Sequence, residues 1–225
     1  MNLYWIIFIA TLLASWLVSA LFESRMKKYS TIRTTMTGRE VAERMLRENG
    51  ITDVQVVCTG GVLTDHYNPT NQTVNLSKAV YEGATLAAMA VAAHECGHAV
   101  QHAVGYAPLR MRSALVPVVN FSSKWVMWVI LAGMLVMQSF PQLMLFGIVL
   151  FAMTTLFSFI TLPVEINASV RAINGMAESM LISRDALPKA SAALRAAAYT
   201  YVVAALSLLA TLLYYIAIFA GGSRK

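Results

Sequence analysis

Residues 125–164 read WVMWVILAGMLVMQSFPQLMLFGIVLFAMTTLFSFITLPV, 40 positions without one Asp, Glu, Lys, Arg or His. A helix needs about 20 predominantly apolar residues to cross the ~30 Å hydrocarbon core of a bilayer, so the run is long enough for two crossings. The polar, proline-containing stretch Gln138–Gln142 divides it. We expect spans at 121–137 and 143–164 joined by a tight turn, with Lys124 snorkelling to the interface. Leu3–Phe22 is charge-free for 20 residues and reads as a first span; Tyr199–Ala220 reads as a fourth, with Arg224 and Lys225 after it. The basic residues Arg25, Lys27 and Lys28 follow the first run instead of preceding it, which argues against a cleaved signal peptide.

Composition agrees with a membrane protein. Of the 225 residues, 58% are hydrophobic and 12% charged, where roughly 45–50% and about 25% are usual for soluble domains. Intrinsic disorder is excluded by the same numbers, and a disulfide scaffold by the presence of only Cys58 and Cys96. The net charge of +6 comes from residues that flank apolar segments. That pattern suits an anionic bilayer surface and not a nucleic acid, which would call for a basic stripe interleaved with aromatics. A hairpin of spans two and three places residues 23–112 and 165–198 on one side of the membrane. These regions hold 10 and 4 of the 17 basic residues, and the turn at 138–142 holds none. By the positive-inside rule both regions are expected in the cytoplasm and both termini outside.

Within 23–112 the pattern changes to that of a small folded domain. Thr37-Gly38-Arg39-Glu40 forms a capping-box signature opening a helix that buries Val41, Met45 and Leu46 and stops at Asn49-Gly50. Val54–Cys58 and Thr73–Ser77 have strand character, separated by Gly60-Gly61 and the turn-rich Asp65-His66-Tyr67-Asn68-Pro69. An alanine-rich helix is predicted from about Ala84 to Val104.

That helix carries His94-Glu95-Cys96-Gly97-His98. Histidines four apart differ by only ~40° around a helix, so both imidazoles reach one metal ion, and the glutamate beside the first can contact a water on that ion. Cys96, two residues from each histidine, faces away and reads as a packing residue. Catalytic zinc takes three protein ligands and keeps a position for water. Candidates for the third are His102, His66, Asp65 and Glu165. His102 sits about 6 Å further along the axis than His98 and overshoots. Glu165 is the stronger candidate, because an acid at the end of a span, just after Pro163, is costly without a partner.

Three separated motifs, HECGHAVQH at 94–102, GVLTDHYNP at 61–69 and LPVEINASVRA at 162–172, resemble the YugP-like neutral zinc metallopeptidases of bacterial membranes, over nearly the whole chain. These are membrane gluzincins, distantly similar to the HtpX type. The resemblance implies a mainly α, polytopic membrane protein with about four transmembrane helices and a small α+β zincin-like catalytic domain. That domain would occupy 23–112, with a third-ligand region at 165–198. The wider relatives take their third ligand from a Glu-x-x-Ala-Asp pattern, which maps onto Glu165 and Ala168. Where that pattern has Asp this chain has Ser169, so the partner of a ligand histidine changes and Asn167 is a candidate substitute. A strand beside the metal helix binds substrate as an added strand in gluzincins, which suggests that role for Thr73–Ser77 as readily as a purely structural one.

The expected activity is that of a zinc-dependent membrane endopeptidase with one Zn2+ per chain. His94, His98 and Glu165 hold the metal and Glu95 acts as the base and proton donor. Its substrates would be membrane-associated or unfolded proteins. His66, His102, Arg195 and Tyr201 are candidate donors to the transition state or to substrate; Tyr201 matches a tyrosine implied by the resemblance. An intramembrane protease of the site-two type is disfavoured, since charge-free Gly83–Ala93 is too short to cross. A silent scaffold with a structural metal site has no use for Glu95.

Overall fold

The structure, a computed structural model, describes residues 3–222, so Arg224 and Lys225 lie outside the described residues. In chain order the elements are α1 (Leu3–Ser30), α2 (Gly38–Glu48), β1 (Gln55–Thr59), β2 (His66–Asn68), β3 (Thr73–Ser77), α3 (Lys78–Tyr81), α4 (Leu86–Ala103), α5 (Ala107–Leu135), α6 (Pro141–Glu178) and α7 (Leu187–Gly222). Over the described residues the protein is mainly α with one three-stranded sheet. Among the described residues, α1, α5, α6 and α7 are the four helices long and apolar enough to cross a membrane. Each extends past the span read from hydropathy at its polar end, while α5 stops at Leu135, short of the expected residue 137. α5 begins at Ala107 and α6 continues to Glu178, because helical conformation does not end where charge begins.

The described residues form two compact units. One holds those up to Leu17, Met111–Leu162 and those from Tyr201 on. Its α5 and α6 meet through buried Ile130, Met144 and Ile148, with Phe151, Leu212 and Tyr215 packed against them. The turn between these helices is closed by the Phe140 amide donating to the Val136 carbonyl at 2.8 Å. Many large apolar side chains of this unit, Trp16 and Trp128 among them, are exposed, as a bilayer-facing surface requires.

The second unit, Val18–Arg110 with Pro163–Thr200, contains the sheet, α2 to α4 and the polar ends of four helices. The capping box opens α2: Thr37 Oγ1 accepts from the Glu40 amide, and Glu40 accepts from the Thr37 amide at 2.7 Å. Val41, Ala42, Met45 and Leu46 are buried in one core with Val74, Leu76, Met89, Ala93, Ala172 and Met176. The sheet order is β1-β3-β2, with β1 parallel and β2 antiparallel to β3. Two readings change here. His66–Asn68, read as turn, is a strand, too short and polar to announce itself. Thr73–Ser77 is the central strand, paired on both sides over Thr73–Asn75, so it has no free edge there to offer a substrate. The edge beside α4 belongs to β2.

Candidate metal centre

α4 starts at the Thr85 cap, whose hydroxyl accepts from the Ala88 amide at 3.3 Å. It is buried on nearly every side, which its many alanines permit, since large side chains would hold neighbouring elements away. The tightest approach is at Gly97. A Cβ built there would lie 2.5 Å from the Ala168 carbonyl oxygen of α6. Only a residue without a side chain lets the two backbones touch, and that contact brings the α6 turn bearing Glu165 and Ser169 against the histidines.

His94, His98 and Glu165 converge, each offering one ligand atom within 4.8 Å of the others. Glu165 Oε2 lies 3.3 Å from His94 Nε2 and 3.6 Å from His98 Nε2. The imidazoles stand edge to face, 4.8 Å between centroids. A tetrahedral zinc with bonds of about 2.0–2.1 Å separates its ligand atoms by roughly 3.3 Å. The two carboxylate–imidazole spacings match that separation, and two imidazole nitrogens with one carboxylate oxygen are a donor set that zinc takes. Glu165 is 3% exposed, a burial that a carboxylate tolerates only with positive partners. Burial pulls the His98 imidazole down, but the nearby Glu165 carboxylate and the Glu95 charge outweigh it and hold His98 above its ordinary value.

Glu95, between the histidines, is held by a main-chain group. The Tyr67 amide of β2 donates to Glu95 Oε2 at 3.0 Å. The Tyr67 hydroxyl lies 2.8 Å from His102 Nδ1, so Tyr67 runs along the stripe of α4 that carries residues 95, 98 and 102. Burial, and then the charge of Asp53, raise the Tyr67 phenol above its ordinary value.

The outer partners of the histidines are neutral. Ser169 Oγ is 3.2 Å from His94 Nδ1, and Gln101 Oε1 is 3.0 Å from His98 Nδ1. Asn167 touches neither imidazole; its Oδ1 accepts from Gln101 Nε2 at 3.0 Å and Arg171 Nε at 2.8 Å. Of the other third-ligand candidates, Asp65 accepts from the Ser77 amide and hydroxyl and ties β3 to the loop before β2. His66 and His102 stand outside the triad, and the His66 ring is exposed, 2.8 Å from the Thr64 carbonyl. Arg195 is exposed on α7 and Tyr201 belongs to the other unit. Cys96 packs, fully buried, with its thiol toward the Ala42 carbonyl, and burial raises its pKa. Gln101 and the Tyr67 amide are contributions that pattern reading does not reach. No spacing rule marks the first, and the second has no side-chain signature.

A family model described as "Putative neutral zinc metallopeptidase" matches residues 4–220. The chain belongs to this family. "Putative membrane protease YugP" of Bacillus subtilis (strain 168) is 43% identical over 202 residues, 89% of each chain. No solved structure matches. Family membership carries a peptidase role and zinc as the metal, and the four apolar helices carry a membrane location.

Proposed function

We propose that the protein is a zinc-dependent membrane endopeptidase of the HExxH gluzincin type, with His94, His98 and Glu165 as its metal ligands and Glu95 as its catalytic base. The convergence of three ligand atoms from α4 and α6, with Glu95 beside them, carries the reading. Zinc bound there supplies a Lewis acid for the scissile carbonyl and lowers the pKa of water. The Glu95 carboxylate receives the proton of the attacking water and returns it to the departing amine. The Tyr67 amide holds that carboxylate in place. Tyr67 hydroxyl and His102, hydrogen-bonded to each other, form the polar flank on which a substrate carbonyl would find a donor.

Substrates are membrane-associated or unfolded proteins, since a peptide must reach the site in extended form beside β2, in a chain with four apolar helices. The active site faces the cytoplasm of a bacterial cell, for residues 23–112 and 165–198 hold 14 of the 17 basic residues.

Metal analysis tests the ligand set. Purified wild type should hold about one zinc per chain; His98→Ala and Glu165→Ala should each lose it, and His102→Ala should keep it. Full zinc in Glu165→Ala with loss in His102→Ala would overturn the assignment. Topology is tested by single cysteines at Thr70 and Ser183 in a background with Cys58→Ser. An impermeant reagent on intact cells should label neither, and labelling of both would move the site to the opposite face.

A further inference from the structure

Gln101 is fully buried one turn beyond the HExxH motif and makes three polar contacts. Donor and acceptor accounting around it fixes more than its position. The Arg171 guanidinium can only donate, so the Asn167 atom 2.8 Å from its Nε is the oxygen Oδ1. The same Oδ1 lies 3.0 Å from one end of the Gln101 amide, and the Val164 carbonyl oxygen lies 2.8 Å from that end. Both neighbours only accept, so that end is the NH2 group. Oε1 therefore faces His98, and because it too only accepts, the hydrogen of the 3.0 Å contact sits on His98 Nδ1. In the neutral imidazole Nε2 is then the atom with the lone pair, and it is the one on the Glu165 side. At His94 Nδ1 there is no such constraint: the Ser169 hydroxyl there gives or takes a hydrogen equally well.

We infer that Gln101 is the positioning residue of the metal centre, fixing which nitrogen of His98 is free for metal and tying that imidazole to the turn of α6 that carries Glu165. The inference rests on His94, His98 and Glu165 being the ligands. The Val164 carbonyl that holds the Gln101 amide belongs to the residue before Glu165, so one buried side chain spans from a ligand on α4 to the backbone beside a ligand on α6. The chain Arg171–Asn167–Gln101–His98 sets a hydrogen at each link, and a slip of one helix along the other would break it. Gly97 holds the two helices at contact distance; Gln101 sets what the contact presents.

Two measurements test this. The first needs no variant: 15N spectra of histidine-labelled wild type loaded with zinc should show His98 bound through Nε2 with its proton on Nδ1. Binding through Nδ1 overturns the inference. The second compares wild type with Gln101→Met, which keeps the length but removes both halves of the amide. Zinc affinity, by competition with a chromophoric chelator, should fall about 10–100-fold, and the His98 Nδ1 proton should lose the downfield shift that a hydrogen-bond acceptor gives it. Affinity within about twofold of wild type, with that resonance unchanged, would make Gln101 mere filling. A wild type that binds no zinc at all would overturn the ligand reading instead, so the two failures are told apart.

Discussion

In the apolar unit the buried hydroxyls of Thr155 and Thr161 bond to carbonyls four residues back on their own helix, Phe151 and Phe157. In the other unit the buried polar side chains of Glu95, Gln101, Glu165 and Ser169 bond across elements, over separations of 28 to 75 residues. The first arrangement suits a bilayer, where a polar group that cannot find a partner on its own helix finds none in lipid. The second needs a packed core to hold several elements in register. Packing alone decides one unit; packing in the other serves a handful of polar atoms on whose placement the proposed function rests.

The largest expected effect bears on that polar set. Glu95→Gln keeps the shape and the Tyr67 amide contact but removes the base. Peptide cleavage by zinc-loaded protein should fall toward the upper end of ~10²–10⁴-fold, because the same group takes up and returns the proton. Zinc content should be unchanged. Activity within about tenfold of wild type would sink the mechanism and leave the polar set a structural metal site.

Glycine substitutions compare the units directly. A Cβ at Gly97 meets the Ala168 carbonyl oxygen at 2.5 Å, and one at Gly133, in the apolar unit, meets Met144 Cα at 2.6 Å. Overpacking of this kind costs about 1–3 kcal/mol in either place. Gly97→Ala should also lose zinc affinity, since it pushes away the turn carrying Glu165 and Ser169; Gly133→Ala should lose stability alone. Equal zinc affinity in the two variants would show that the site tolerates separation of α4 and α6.

The same division governs what was legible in the sequence. Four apolar runs announce four helices because hydropathy is a property of single segments. His94, Glu95 and His98 announce themselves because helical spacing alone brings them together. Glu165 was legible at one remove, as an acid stranded at the end of a span. Gln101 was not, because its meaning depends on Val164 and Asn167, which lie 63 and 66 residues away. Nor was the Tyr67 amide, a main-chain group in a three-residue strand that reads as turn. The central place of β3 was hidden for the same reason, since strand order depends on recognising β2.

A smaller effect is expected at Ser169, the neutral partner of His94. Ser169→Ala removes a contact of 3.2 Å, and zinc affinity should fall by about tenfold, the low end of what outer partners contribute. A loss exceeding that of Gln101→Met would reverse the ranking of the two histidine partners and place the register of α6 under the control of Ser169.

The smallest effect is expected farthest from the polar set. Thr37→Ala removes the hydroxyl that accepts from the Glu40 amide at 3.3 Å, leaving one more unsatisfied donor in the first turn of α2. Loss of such a cap costs about 1 kcal/mol, measurable as a lower denaturation midpoint in detergent. α2 is anchored further along by buried Val41, Met45 and Leu46, so the first turn should fray without moving α4. Zinc affinity and cleavage should therefore stay at wild-type values. If zinc affinity fell together with stability, the polar set would depend on remote ends of the core and not only on the α4–α6 contact, and the line drawn between packing and function within this unit would have to be moved outward to include α2.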